Sequence, residues 1–117
     1  MPLDGTAQYV VLIPAEIEEV VPYFLDLRKK NVDEILNALS CGNFEHIRCL
    51  GHNIKGSGGS YGFDEISRIG LALEHAAQSG DGNTVRVLAR ELDDYLERVQ
   101  VVYDDALKAG QKNTGFR

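Results

Sequence analysis

Three glycine-bearing breaks constrain this chain more than any other feature. Cys41-Gly42-Asn43, the segment ending at Gly62, and Ser79-Gly80-Asp81-Gly82-Asn83 divide it into four stretches. Each stretch carries apolar residues at the 3.6-residue spacing of a helix. In the first, Phe24, Leu25, Val32, Ile35, Leu36 and Leu39 fall on one side, and Pro22 sits at a first turn or a kink. Gly42 can supply a left-handed cap, and Asn43 can N-cap the second stretch, which begins FEHIRCLGHNIKG. Asp64-Glu65 opens the third, with Ile66, Ile69, Leu73, Ala76 and Ala77 inward. The fourth is expected to run from about Thr84 to about Lys108 on a stripe of Val85, Leu88, Leu92, Tyr95, Leu96, Val99, Val102, Tyr103 and Ala106.

Four amphipathic helices with short links predict an all-α fold, an antiparallel up-down four-helix bundle with a short N-terminal lead-in. The expected boundaries are a lead-in over 1–14, the bundle over 15–108 and a polar tail over 109–117. Pro14 or Ala15 starts the helical part, with Glu16, Glu18 and Glu19 where a helix dipole favours acid. Tyr9–Ile13 is the only strand candidate; it could cap the bundle or seed a dimer.

At 117 residues the chain makes one domain that can bury a core without staples. Its 12 basic and 18 acidic side chains give a formal charge of −6, which argues against sequence-independent nucleic-acid binding and against anionic membrane. No apolar run approaches the ~18 residues of a membrane span. No basic segment precedes Tyr9–Ile13, so a cytoplasmic location is expected, and the Met1 start suggests a free-standing protein. Cys41 and Cys49 are expected to be free thiols, and the lack of a fifth apolar face favours a monomer.

The second stretch is the unusual one. Gly51, Gly56, Gly58, Gly59 and Gly62 crowd into it, and each glycine inside a helix costs about 0.5–1 kcal/mol relative to alanine. At about 100° per residue, Ile47, Leu50, Ile54, Gly58 and Tyr61 still share one face, so the helix should continue to about Ser60. His52 points away from that face, with Gly56 and Gly59 flanking it and Arg48 and Lys55 to one side. Bulk removed beside an exposed imidazole lets another protein approach it, and the cations suit an anion. Neutral imidazole is a competent nucleophile near pH 7, and Lys55, one turn along, can offset a phosphate placed on Nε2. No Asp or Glu is obviously placed to orient His52, and no nucleotide-binding loop accompanies it.

LGHNIKGSGGSYGF, residues 50–63, resembles the signature of histidine-containing phosphotransfer (HPt) domains, His-x-x-Lys-Gly-(Ser)-x-x-x-x-Gly. It matches at His52, Lys55, Gly56, Ser57 and Gly62, and Leu73-Glu74 followed by Ala76-Ala77 is similar to the family's third bundle helix. The likeness covers roughly residues 15–105. It departs in carrying both Gly58 and Gly59 where relatives often have alanine, serine or asparagine. The resemblance implies a stoichiometric phosphocarrier, not an enzyme, with no ATP site of its own. His52 would accept a phosphoryl group from a receiver-domain aspartate and pass it to another receiver, in response regulators or hybrid sensor histidine kinases. It needs no cofactor of its own, since the receiver supplies Mg²⁺. Lys55, with Arg48, would balance the phosphate; Gly56, Gly59 and Cys49 would form the docking strip; Ser57 and Gly62 would be structural parts of the motif.

Competing readings are weaker. Cys41, His46, Cys49 and His52 have zinc-ligand chemistry, but on one helix His46 and His52 diverge by about 120°. Gly51-x4-Gly56-Ser57 lacks the lysine of a phosphate loop. His75 and the acidic run Glu91, Asp93, Asp94 and Glu97 read as solvated surface. The remaining alternative is a non-catalytic helical interaction module that is never phosphorylated.

Overall fold

The computed structural model describes residues 9–104. Four helices pack as a bundle: α1 (Val21–Ser40), α2 (Phe44–Tyr61), α3 (Asp64–Gln78) and α4 (Gly82–Arg98). Each packs on the next, and α4 returns to α1. The breaks act as expected. Gly42, Gly62 and Gly80 all take positive φ, at 70°, 88° and 65°. Asn43 Oδ1 accepts from the backbone N–H of His46 at 3.1 Å, and Asp81 Oδ1 accepts from that of Thr84 at 3.1 Å, so each side chain satisfies an otherwise orphaned helix-end donor. Pro22 occupies the first turn of α1, where its missing N–H costs no helix bond. A single 3₁₀ turn, Ala15–Ile17, precedes it.

The core is apolar throughout. Ile35, Ile47, Ile54, Phe63, Ile66, Ile69, Leu73, Val85 and Leu92 are fully buried, and no polar or charged residue among those described is buried with them. Leu36 departs from its expected place. It is 37% exposed, while Ala38 is buried on the inner side of α1.

The fourth helix is shorter than its periodicity predicts. It ends at Arg98, and Val99–Asp104 forms a strand, β2, that pairs in parallel with β1 (Tyr9–Pro14), from Tyr9 beside Val99 to Pro14 beside Asp104. Val99, Val102 and Tyr103 therefore lie on a strand rather than a helical stripe. Ala106 and the tail expected over 109–117 lie outside the described residues. The misreading has a physical cause. Val99, Val101, Val102 and Tyr103 are β-branched or aromatic, and their spacing satisfies either period; the pairing partner that decides between them lies 90 positions earlier.

Alternation on the two strands places the sheet. Val11, Ile13, Val99, Val101 and Tyr103 face the bundle, with Ile13 fully buried, while Val10, Leu12, Gln100 and Val102 face out. The Tyr9 ring lies 4.8 Å from that of Tyr95 in α4. The lead-in thus closes one end of the core. None of the helices described is long and apolar enough to cross a membrane.

Candidate functional site

The glycines of α2 divide into two groups. Gly51 and Gly58 are buried against α3. A Cβ on Gly51 would lie 2.7 Å from the Glu74 backbone nitrogen, and one on Gly58 would lie 2.6 Å from that of Ser67. Gly70 answers from α3: a Cβ there would strike the backbone nitrogen of Lys55 and come within 2.8 Å of the Gly51 oxygen. The helices meet backbone to backbone, and the Ser67 hydroxyl donates across the seam to the Lys55 carbonyl at 2.8 Å. Gly56 and Gly59 are the second group. Nothing lies within 4 Å of a Cβ on Gly56, and only the Ser67 hydroxyl, at 3.8 Å, approaches one on Gly59. Packing does not require glycine at either position.

His52 stands on the open side of α2, with its side chain 60% exposed. Its Nδ1 is 3.3 Å from Oε2 of Glu74, and the other oxygen of that carboxylate is 3.6 Å from the Lys55 ammonium. A carboxylate can only accept, so a hydrogen on Nδ1 is the one this contact favours, and with it there Nε2 keeps its lone pair in the neutral ring. Partial burial pushes the Glu74 carboxyl up, but the charges of Lys55 and His52, and their hydrogen bonds, outweigh it and hold it below the usual carboxylate range.

Glu74 is the carboxylate beside Nδ1 that inspection of His52's own surroundings in sequence did not find. It arrives from the neighbouring helix, at the height where Gly51 and Gly70 allow the closest approach. The signal was present in two parts. Glu74 follows the core residue Leu73 at the edge of the apolar stripe of α3, and Gly70 lies one turn before it on the same side.

The other expected site residues are placed as follows. The Arg48 guanidinium grips Glu45, with Nε at 3.0 Å and Nη2 at 2.5 Å from its oxygens, so it is engaged one turn before His52. Cys49 is exposed, its sulfur 3.6 Å from Arg48 Nη2. Ser57 turns toward α1, where its hydroxyl accepts from Arg28 Nη1 at 2.5 Å. Gly62 is the left-handed cap of α2 and backs onto Ile13. His46 pairs with Glu34 at 3.0 Å, and His75 is exposed. Cys41 caps α1. Among the described residues, no three His, Cys, Asp or Glu side chains are grouped to hold a metal ion. The acidic run on α4 is partly consumed by arginines, Glu91 by Arg68 and Asp94 by Arg98.

No curated protein and no solved structure gives a significant match to this chain. A family comparison does: residues 19–101 match the Hpt domain. The match spans all four helices and reaches into β2, more than half of the chain. With an exposed histidine on the second of four bundled helices, the chain belongs to the Hpt family, the histidine phosphotransfer domains that work with receiver domains in phosphorelays.

Proposed function

We propose that His52 is the residue that carries the phosphoryl group, taking it from the phosphoaspartate of one receiver domain and giving it to the aspartate of another. The observation that carries this reading is the Nδ1–Glu74 contact on an exposed ring, which leaves Nε2 as the nucleophile on the open face of α2. In the forward step the Nε2 lone pair forms the N–P bond. The electrons of the breaking P–O bond leave with the aspartate as its carboxylate. Nδ1 keeps its hydrogen, so the ring becomes cationic, and the Glu74 carboxylate faces that charge. The return step reverses each movement: an aspartate oxygen attacks phosphorus and the N–P pair goes back to the ring.

Transfer passes through a loose phosphoryl transition state, in which alignment and charge neutralisation supply most of the acceleration. Lys55 already shares the carboxylate that holds the ring, and it turns to the phosphoryl oxygens when they arrive. Arg48 contributes only by exchanging Glu45 for the same oxygens. Gly56 and Gly59, with Cys49 beside them, leave room for the acidic pocket of the receiver, which brings its own Mg²⁺. The chain acts stoichiometrically, as a phosphocarrier.

The test is labelling by a phosphorylated receiver domain. Wild type should acquire phosphate that is stable to base and labile to acid, and His52→Gln should acquire none. Label on His52→Gln would move the site elsewhere. A chain that binds receivers but never takes label would be an interaction module.

A further inference from the structure

The parallel ladder has an edge that the bundle does not use. β1 and β2 make a sheet of two strands, so one side of β1 pairs with β2 and the other meets no strand among the described residues. Alternate residues of a strand turn their N–H and C=O groups to opposite sides, so half of those of β1 face this open edge. Natural sheets blunt such edges with lysine, proline or a bulge. Tyr9–Ile13 has none of these: it is uncharged and apolar, its register with β2 is continuous, and Pro14 comes only at its end. On the outer face Val10, Leu12 and Val102 are 62%, 57% and 38% exposed.

A hollow of about 610 Å³ lies against the same strand, and Tyr9–Leu12 form one of its walls. These are consecutive residues from both faces of the strand, so the hollow follows the edge of β1 and not one face alone. Asp64 and Glu65, at the start of α3, form the opposite wall, with Gly62 and Tyr95 between. No lysine or arginine lines it. Arg68 holds Glu65 at 2.6 Å, whereas Asp64 is exposed and has no cation paired with it among the described residues.

We infer that the open edge of β1 is a docking site for an extended segment of a partner protein, apolar at alternate positions and bearing lysine or arginine, which joins the ladder as a third strand. Main-chain hydrogen bonds to β1 hold it, apolar side chains enter the hollow above Gly62 and Tyr95, and a basic side chain reaches Asp64. A second copy of this chain fits less well. Three partly exposed side chains fall far short of the roughly 800 Å² per partner of a stable interface, and a second copy brings another net charge of −6 to an acidic wall. Gly62 lies ten residues beyond His52, about 15 Å along the axis of α2, so a segment seated on β1 leaves the imidazole uncovered whether or not it carries phosphate.

Short peptides test this on the full chain, followed by nitrogen-15 NMR. The basic probe is acetyl-Lys-Val-Thr-Val-Arg-amide. An acidic control has glutamate at both ends, and a second control is the basic peptide with its three central nitrogens methylated, which cannot donate to a ladder. The basic peptide should shift the amides of Tyr9–Leu12, Gly62 and Asp64 saturably and slow hydrogen exchange at alternate amides of β1. Both controls should bind about fivefold or more weakly, and Asp64→Asn should weaken the basic peptide by about twofold or more, with unchanged circular dichroism. Absence of saturable shifts with the basic peptide overturns the inference, as does equal binding of either control or unchanged affinity in Asp64→Asn. Open-edge amides already protected in the dilute chain alone overturn it in favour of another part of the same chain. Sedimentation showing a dimer that Leu12→Asp abolishes overturns it in favour of a second copy.

Discussion

Replacing Gly56 and Gly70 separately with alanine should give stability changes of opposite sign, although both glycines lie inside helices of the same site. At Gly56 the new methyl group meets nothing within 4 Å. Only the backbone entropy changes, and Gly56→Ala should stabilise the fold by about 0.5–1 kcal/mol. For a chain of this length that raises Tm by about 2–4 °C. At Gly70 the methyl group meets backbone, the Lys55 nitrogen and the Gly51 oxygen, which cannot swing aside as a side chain would. α3 must move off α2 by roughly half an ångström or more, and overpacking of this kind costs about 1–3 kcal/mol or more, against a helix-propensity gain of at most about 1 kcal/mol. The propensity gain is common to both, so the two variants should differ by the overpacking cost itself, about 1–3 kcal/mol or more, in urea denaturation followed at 222 nm. Gly70→Ala should also lengthen the 3.3 Å Nδ1–Glu74 contact, which nitrogen-15 NMR of the His52 ring would report as a loss of the single tautomer. If Gly70→Ala proves as stable as Gly56→Ala, the two helices are not held at contact distance and the division of the glycines into two groups is wrong.

Further expectations concern the site, the strands and pH. Gly59→Leu should slow transfer from a receiver by tenfold or more while moving Tm by only a few degrees, since the position is open; an unaltered transfer time course would remove Gly59 from the docking surface. Lys55→Ala should slow transfer or shorten the lifetime of the phosphohistidine, both read from the decay of label; no change in either would make the lysine a bystander. Ile13→Ala empties a fully buried site and should cost about 2–4 kcal/mol in the same urea assay, whereas a change below about 0.5 kcal/mol would mean that β1 is not part of the cooperative unit. Burial, and then the charges of Glu65 and Asp64, push the Tyr95 hydroxyl up to about 12, with Tyr9 adding to the shift. The folded state prefers the neutral phenol, so this contribution is complete below pH 10 and is lost as the pH rises toward 12; absorbance at 295 nm should show a tyrosine that ionises only as the pH approaches 12, and its absence in Tyr95→Phe would confirm the source.

The four helices were legible because their signals are local. Asn43 and Asp81 cap within three residues, Gly42 and Gly62 take the backbone through the left-handed region, and the apolar stripes repeat within each helix. His52, Lys55 and Gly56 were legible for the same reason, since they share one helix and a single projection relates them. What was missed depends on contacts between distant parts of the chain. Val99–Asp104 reads as helix until Tyr9–Pro14 is laid beside it. Glu74 reads only as part of the third-helix pattern, with no link to the histidine, until the contact between Gly51 and Gly70 brings it to His52. Gly58 was placed correctly on the inner face, but its role in admitting the α3 backbone appears only once Ser67 is in position.

The parallel pairing of β1 and β2 has a mechanical consequence. Because the strands run the same way, the chain enters the strip at Tyr9 and leaves it at Asp104, at opposite ends of the ladder. Tension applied through the segments beyond those two points would load every rung at once, in shear, instead of peeling them one after another. A fold fastened in this way should resist being pulled apart along the chain far better than its equilibrium stability would suggest, and the bundle beneath would stay intact until the whole strip gave way.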